Sequence, residues 1–357
     1  MQTGDFSNPL SEPVSIYPKP KKSGGGVRMI HKYGLRHRTA KDMVIRIMSA
    51  YYAPRPFQYT HLGFHAPIKR IKEAVKNGNV HIARLDIKDF YPSFDVEKLV
   101  PELPLPLEVV KHVVVGRHMK VVMDQEFMIG GHATPHLPHA LTHDLKRQAR
   151  LGLPQGSACS PIVGAFCMSR LEWFPVPGVL LFNYVDDFLL LSSSPVLLDN
   201  AVGKLMEAVA DLPGGHFKLK LKAKSIAAKG FDFLGHHLRV VKDKLSTSPT
   251  VEIIEDLYAK IMKLDEVLSG RTVCKPGNKG KCDQQKALDI LAQMFAIHYG
   301  RLKAFQECDN ASGVTAIIAV SNADWCETLG VTTEQVKKVI EPWMTYRPNN
   351  YGVRASV

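Results

Sequence analysis

Paired acids between apolar runs are the first residues in this chain with the makings of chemistry. In the stretch Val179 to Ser192, VLLFNYVDDFLLLS, Asp186 and Asp187 stand where two runs rich in Val, Leu and Phe meet. Each run is too apolar for a solvated strand, so the pattern predicts two buried strands joined by a tight turn, with both carboxylates at the tip of a rigid hairpin. A third acid, Asp86, closes another apolar strand pattern, Ile82 to Ile87, within HIARLDIKDFYPSFD. A lone ionised carboxylate at the end of a core strand is costly unless a cation meets it. That cation is either a bound metal ion or a neighbouring base such as Lys88 or Arg84.

The elements that would position these acids follow in chain order. In VSIYPKPKKSGGGVRMI, Val14 to Tyr17 and Val27 to Ile30 read as strands joined by a glycine-rich tip (Gly24, Gly25, Gly26), with Lys19, Lys21, Lys22 and Arg28 on or beside it. A basic hairpin of this kind suits folding over a triphosphate, although an ordinary solvated loop has the same composition. Thr39 is placed to cap a helix whose buried stripe is Met43, Val44, Ile47, Met48 and Tyr51, with Arg36, Arg38, Lys41 and Arg46 around it. Pro67 to Gly78 reads as a second helix with Ile68, Ile71 and Val75 inward. Past Asp86, Ser93 or Asp95 caps a short helix through Leu99.

Residues 101–150 read as an insertion with surface histidines. His132, His136, His139 and His143 mimic metal-ligand spacing, but Pro135 and Pro138 interrupt the helix that would align them. In Leu153-Pro154-Gln155-Gly156-Ser157, Gly156 would let the backbone approach a ligand closely, and Gln155 offers an amide to a base or sugar. Ser160 as N-cap and Pro161 as first helical residue then begin a helix. Toward the C-terminus, one stripe runs Ile253, Leu257, Ile261, Leu264, Leu268 and another Leu288, Leu291, Phe295, Leu302, Phe305. A Gly/Lys-rich loop holding Cys274 and Cys282 lies between them.

A chain of 357 residues with 45% hydrophobic content can bury a large core as one domain or a few subdomains. Its formal charge of +12 favours a polyanionic partner such as nucleic acid over acidic substrates. The six cysteines (159, 167, 274, 282, 308, 326) have no paired CxxC spacing, which argues against a zinc module or a disulfide framework. Without a signal-peptide pattern or an apolar run near the roughly 18 residues of a membrane span, the expectation is a soluble, cytoplasmic protein with no membrane partner.

LDIKDFYPSF, then LPQGSACSP, then YVDD, in this order, resemble motifs A, B and C of reverse transcriptases. Lys222 to Ser225, followed by GFDFLGHHL, resembles the motif D lysine and the primer-grip hairpin of motif E. Spanning about residues 14 to 240, the resemblance implies an α+β right-hand polymerase. Fingers would occupy 1–79. A palm over 80–240, with the insertion at about 101–150, would carry Asp86, Asp186 and Asp187 on a ferredoxin-like antiparallel sheet, and a helical thumb and C-terminal segment would cover 241–357. Phe233, Leu234 and Gly235 would form the primer grip.

Gathered in that way, three carboxylates repel by about 4 kcal/mol per pair at 4 Å and an effective dielectric near 20. The implied cofactors are two Mg²⁺, with Mn²⁺ as a substitute, held mainly by Asp86 and Asp186 with Asp187 in support. Lys21 and Arg28 match the family's triphosphate-holding fingers residues, and Gln155 and Gly156 would position the incoming nucleotide and template base. Tyr91, five residues after Asp86, matches the aromatic gate that excludes a 2′-hydroxyl. Lys224 is the catalytic candidate beside the leaving pyrophosphate, with Lys222 its close competitor.

The implied activity is RNA-directed DNA synthesis: dNTPs added to a primer 3′-hydroxyl on an RNA template or dedicated noncoding RNA, giving a DNA product. Because the chain ends soon after the thumb, a minimal prokaryotic enzyme is expected, of the abortive-infection, defence-associated or retron-like kind, acting against phage alone, as a homo-oligomer or with a partner protein. A template-independent or protein-primed DNA polymerase and a catalytically inactive RNA-binding scaffold are the alternatives.

Overall fold

Near-continuous apolar strands need cover on both faces, and the sheet at the centre of the molecule has it. The computed structural model describes residues 8–21, 26–124, 139–173, 175–272, 284–309, 322–327 and 330–338. Four strands, β3 (His81–Ile87), β5 (Val179–Tyr184), β6 (Asp187–Ser192) and β7 (Leu219–Ile226), form a sheet in the order β5-β6-β3-β7, every neighbouring pair antiparallel. Helix Ser160–Met168 lies between β3 and β5 in the chain, and helix Pro195–Ala210 between β6 and β7, giving a split β-α-β connectivity. Ala83, Leu85 and Ile87 face a core shared with Phe166, Leu198, Ala201 and Leu205 of those helices. On the other face, Ile82, Phe182, Leu189 and Leu191 pack on Ile68 and Ile71 of helix His65–Lys76 and on Phe233. Asp95 is the residue that caps the short helix Val96–Leu99, its carboxylate accepting from the Glu97 amide at 2.9 Å.

A second sheet joins β1 (Val14–Pro20), β2 (Val27–Lys32) and β4 (Val121–Met123) in the order β2-β1-β4. β4 runs parallel to β1, with Val14 opposite Val121. Val14, Ile16, Met29, Met119, Val121 and, from helix His139–Ala149, Leu145 and Ala149 form its core. The described part of the 101–150 segment is therefore no surface insertion. It returns to the N-terminal hairpin and closes that hairpin's sheet, a pairing across about a hundred residues that local periodicity does not register. His112 is buried and His143 exposed, while His132, His136 and the side chain of His139 lie outside the described residues, as do Lys22, Gly24, Gly25, Cys274 and Cys282.

Helix Leu35–Tyr51 begins four residues before Thr39, whose hydroxyl donates to the Leu35 carbonyl inside the first turn. Its buried face is also rotated from the expected stripe: His37, Ala40, Lys41, Val44 and Met48 are covered, and Met43, Ile47 and Tyr51 are exposed. Lys41 explains the rotation. Its ammonium donates to the Val113 carbonyl at 2.7 Å and lies 4.3 Å from the centre of the Tyr33 ring, so a residue assigned outward by charge is fully buried. Ser160 is likewise the first helical residue rather than the cap, its hydroxyl donating to the Pro154 carbonyl.

A third sheet, β10-β9-β8, comprises β8 (Phe231–Phe233), β9 (His236–Val241) and β10 (Lys244–Pro249). Helices Val251–Thr272 and Gln284–Ala304 follow, packed through Leu257, Ile261, Leu291 and Phe295. Phe305 packs tilted against His236 with ring centres 4.8 Å apart, and the Thr247 amide donates to Asp309, which seats this helical region on the sheet. Among the described residues no helix is long and apolar enough to cross a membrane.

Candidate active site

Strand register brings the sequence-distant acids together. β3 and β6 pair so that Asp86 stands directly opposite Asp187, an arrangement of like charges that weakens a sheet unless compensated. Val185 and Asp186 form the two-residue turn between β5 and β6. Val185 has φ +57°, a left-handed conformation that is strained for a β-branched residue. Polar braces hold it: the Val185 amide donates to the Thr60 hydroxyl at 3.1 Å, and the buried Asn183 amide donates to the Val185 carbonyl at 3.0 Å. The Asp186 carbonyl accepts from the Ile87 amide at 3.0 Å, tying the turn to the end of β3.

The electrostatics are those of acids short of positive charge. Burial, then Asp187 and Asp86, push the Asp186 carboxyl up to about 6, with Arg28 acting in the opposite direction. Burial also raises Asp187, opposed by Arg84, whose guanidinium Nη2 lies 3.2 Å from Asp187 Oδ1. Lys222 Nζ lies 2.9 Å from Asp86 Oδ2. Among the described residues, no three His, Cys, Asp or Glu side chains already stand as a metal-ligand cluster; each of the two facing acids turns to a base instead. As a donor set, three crowded carboxylates fit hard divalent cations that prefer oxygen.

The lysine beside the acids is Lys222. Along β7 the pairing with β3 steps from Leu85 opposite Leu221 to Arg84 opposite Ala223, leaving Lys222 as the extra residue of a β-bulge. Past the bulge the alternation is inverted, so Lys224, opposite Ala83, reaches helix Pro195–Ala210 and pairs with Asp199 at 2.7 Å. Arg28 acts on Asp186, whereas Lys21 is held by Asp89 at 2.7 Å, and this lysine keeps the Asp89 carboxyl below its usual range. Burial, then the neighbouring Asp186 and Tyr184, push the Tyr91 hydroxyl well above its usual range.

The loop expected to meet a ligand is tied to β2 through its main chain, which leaves the expected role of the Gln155 side-chain amide untouched. The Gln155 carbonyl accepts from the His31 amide at 2.9 Å, and Gly156, at φ +92°, passes so close to β2 that a Cβ would stand 2.6 Å from the His31 carbonyl oxygen. The close approach that glycine permits here is to the chain's own backbone. Phe233 is fully buried in the core, and Leu234 (φ +50°) and Gly235 (φ +76°) make a tight turn facing Ile253. Thr60, Asn183, Asp89 and the role of Arg84 were not evident from sequence; Asn183 alone left a trace, as a polar residue inside an apolar run.

A sequence profile of the family described as "Reverse transcriptase (RNA-dependent DNA polymerase)" matches residues 19–238, well over half of the chain. The chain belongs to the reverse transcriptase family. As members of that family are, the enzyme is an RNA-directed DNA polymerase, and its kin generally use divalent metal ions. No curated protein matches the sequence significantly. Solved structures similar to it include telomerase from Candida albicans in complex with a fragment of telomeric RNA, at 12% identity and TM-score 0.40, covering 96% of this chain and 67% of that one. Apo telomerase from Candida tropicalis is similar at 12% identity and TM-score 0.43, covering 98% and 69%. A form of the latter truncated from its C-terminal domain aligns at 12% identity and TM-score 0.37, covering 68% and 56%.

Proposed function

We propose that the enzyme extends a primer 3′-hydroxyl with dNTPs on an RNA template, with Asp86 and Asp186 as the principal ligands of two Mg²⁺ and Asp187 in support. The observation that carries this reading is the direct opposition of Asp86 and Asp187 beside an Asp186 turn whose carboxyl is raised to about 6. Such a site gains stability from bound cations, which when present would activate the primer hydroxyl and stabilise the departing pyrophosphate. Around them, Arg28 faces the acids and would hold the incoming triphosphate, joined by Lys21 once a phosphate replaces Asp89. Lys222 is the base placed to give charge or a proton to the leaving group. Tyr91, half-buried beside Asp186, would close the space a 2′-hydroxyl needs.

In this reading the sheet β5-β6-β3-β7 serves as the palm, the β2-β1-β4 sheet as fingers and the helices beyond residue 250 as a thumb. An antiphage setting and a dedicated RNA belong to the same proposal. Sequencing the RNA that co-purifies, and the DNA made on it, tests that part. For the chemistry, Asp186→Ala should abolish dNTP incorporation in primer extension while RNA affinity stays within about twofold, since backbone contacts dominate that affinity. Tyr91→Ala should admit ribonucleotides. Continued Mg²⁺-dependent synthesis by Asp186→Ala would refute the assignment.

A further inference from the structure

Arg84 is a cation in the middle of a core strand; the sequence offers it as a counter-ion to Asp86, yet its partner is Asp187. On β3 it shares a face with Ile82 and Asp86, opposite Leu189 on β6 and Ala223 on β7. The small Ala223 leaves room for a guanidinium, and from its position the diagonal neighbour on β6 is Asp187, within reach of a long side chain. There Nη2 meets Asp187 Oδ1 at 3.2 Å, with the two side chains only 34% and 26% exposed. Among the described residues the Arg84 Nε is buried without a partner, so the fork is only half used. A planar guanidinium can close on a carboxylate through two parallel hydrogen bonds, which a lysine cannot do.

We propose that Arg84 is a positioning residue and internal counter-ion for Asp187: it neutralises the acid that faces Asp86 across the sheet and fixes its orientation beside the cation site. The inference rests on the polymerase reading above. Two consequences follow from one contact. In the cation-free enzyme Arg84 keeps the opposed carboxylates compatible, and in the loaded enzyme it competes with the cation for Asp187 while holding that side chain where it can support the other two ligands.

The test compares Arg84→Met and Arg84→Lys with the parent chain, each alone and with Asp187→Asn, using Mn²⁺ binding followed by electron paramagnetic resonance without nucleotide or RNA. Removing one half-screened charge beside the site should tighten Mn²⁺ binding about tenfold in Arg84→Met. The melting temperature should fall without Mn²⁺ and recover with it, and kcat should drop while KM for dNTP stays the same. Arg84→Lys should restore the parent's Mn²⁺ affinity but only part of kcat. In the Asp187→Asn background, Arg84→Met should tighten Mn²⁺ binding far less, by its direct charge effect alone, and leave kcat and the Mn²⁺ dependence of melting unchanged. An unchanged Mn²⁺ affinity, a melting loss that Mn²⁺ does not repair, or an equal effect in the Asp187→Asn background would overturn the proposal. Because the Mn²⁺ affinity and the melting temperature do not depend on DNA synthesis, they separate its failure from failure of the polymerase reading, which Asp186→Ala decides.

Discussion

Two of the molecule's left-handed hairpin turns are used in opposite ways. Val185 and Leu234 both adopt left-handed backbone in two-residue turns, at φ +57° and +50°. At the first turn the strain is held by polar braces from Thr60 and Asn183, and the tip presents carboxylates. At the second, Phe233 is buried, Leu234 packs on the same core, and Gly235 sits under Ile253 of the following helix. The acid hairpin thus gives up local stability to gather charge, whereas the Leu234-Gly235 hairpin is sealed by apolar burial. The stability of a turn, more than its geometry, separates a reactive position from a structural one.

Breaking the sealed hairpin should have the largest effect on stability. Phe233→Ala should cost about 3–5 kcal/mol in urea unfolding, from lost burial plus a cavity. A cost under 1 kcal/mol would place Phe233 at a surface and undo the contrast.

Next in size is the split between two lysines beside the acid hairpin. Lys222→Ala should lower kcat on the order of a hundredfold, as expected for loss of a positioned proton donor, while Lys224→Ala, whose partner is Asp199, should leave kcat within about twofold. The reverse ranking would mean that the bulge in β7 does not set which lysine serves the site.

Smaller again, and opposite in sign, is the effect of removing the raised acid. Asp186 has its carboxyl at about 6 in the fold against 3.8 ordinarily, so above pH 6 its ionised form penalises the native state, and below pH 4 it does not. Asp186→Asn should therefore stabilise the cation-free enzyme by about 2 kcal/mol at pH 7.5, discounted for partial exposure, and by nothing at pH 4. Denaturant unfolding in chelator at both values checks this, and destabilisation at pH 7.5 would show that the acid is not under repulsion.

Much of this contrast could be read from sequence because it rests on local pattern. The runs flanking Asp186 and Asp187 became β5 and β6, and the run ending at Asp86 became β3. What escaped was set by other parts of the chain. Lys220, Lys222 and Lys224 alternate as if all faced one way, and only the bulge opposite Arg84 and Leu85 sends Lys224 to the far side. Lys41 reads as a surface residue because its carbonyl partner, Val113, lies 72 residues away. β4 was missed because three residues carry no period of their own and gain strand form only by lying along β1. Gly156 reads from sequence as a glycine that lets backbone approach a ligand, whereas the surface it approaches in the fold is the backbone of β2.

The claim beneath the whole account is that Asp86 and Asp186, a hundred residues apart in the chain, serve one cation site. Loading the enzyme with Fe²⁺ in place of Mg²⁺ and triggering radical cleavage with ascorbate and peroxide reads this directly from where the backbone is cut. The account predicts cuts beside both Asp86 and Asp186, both lost together in Asp186→Ala and both suppressed by excess Mg²⁺. Cuts at one segment only, or cuts that survive in Asp186→Ala, would contradict it.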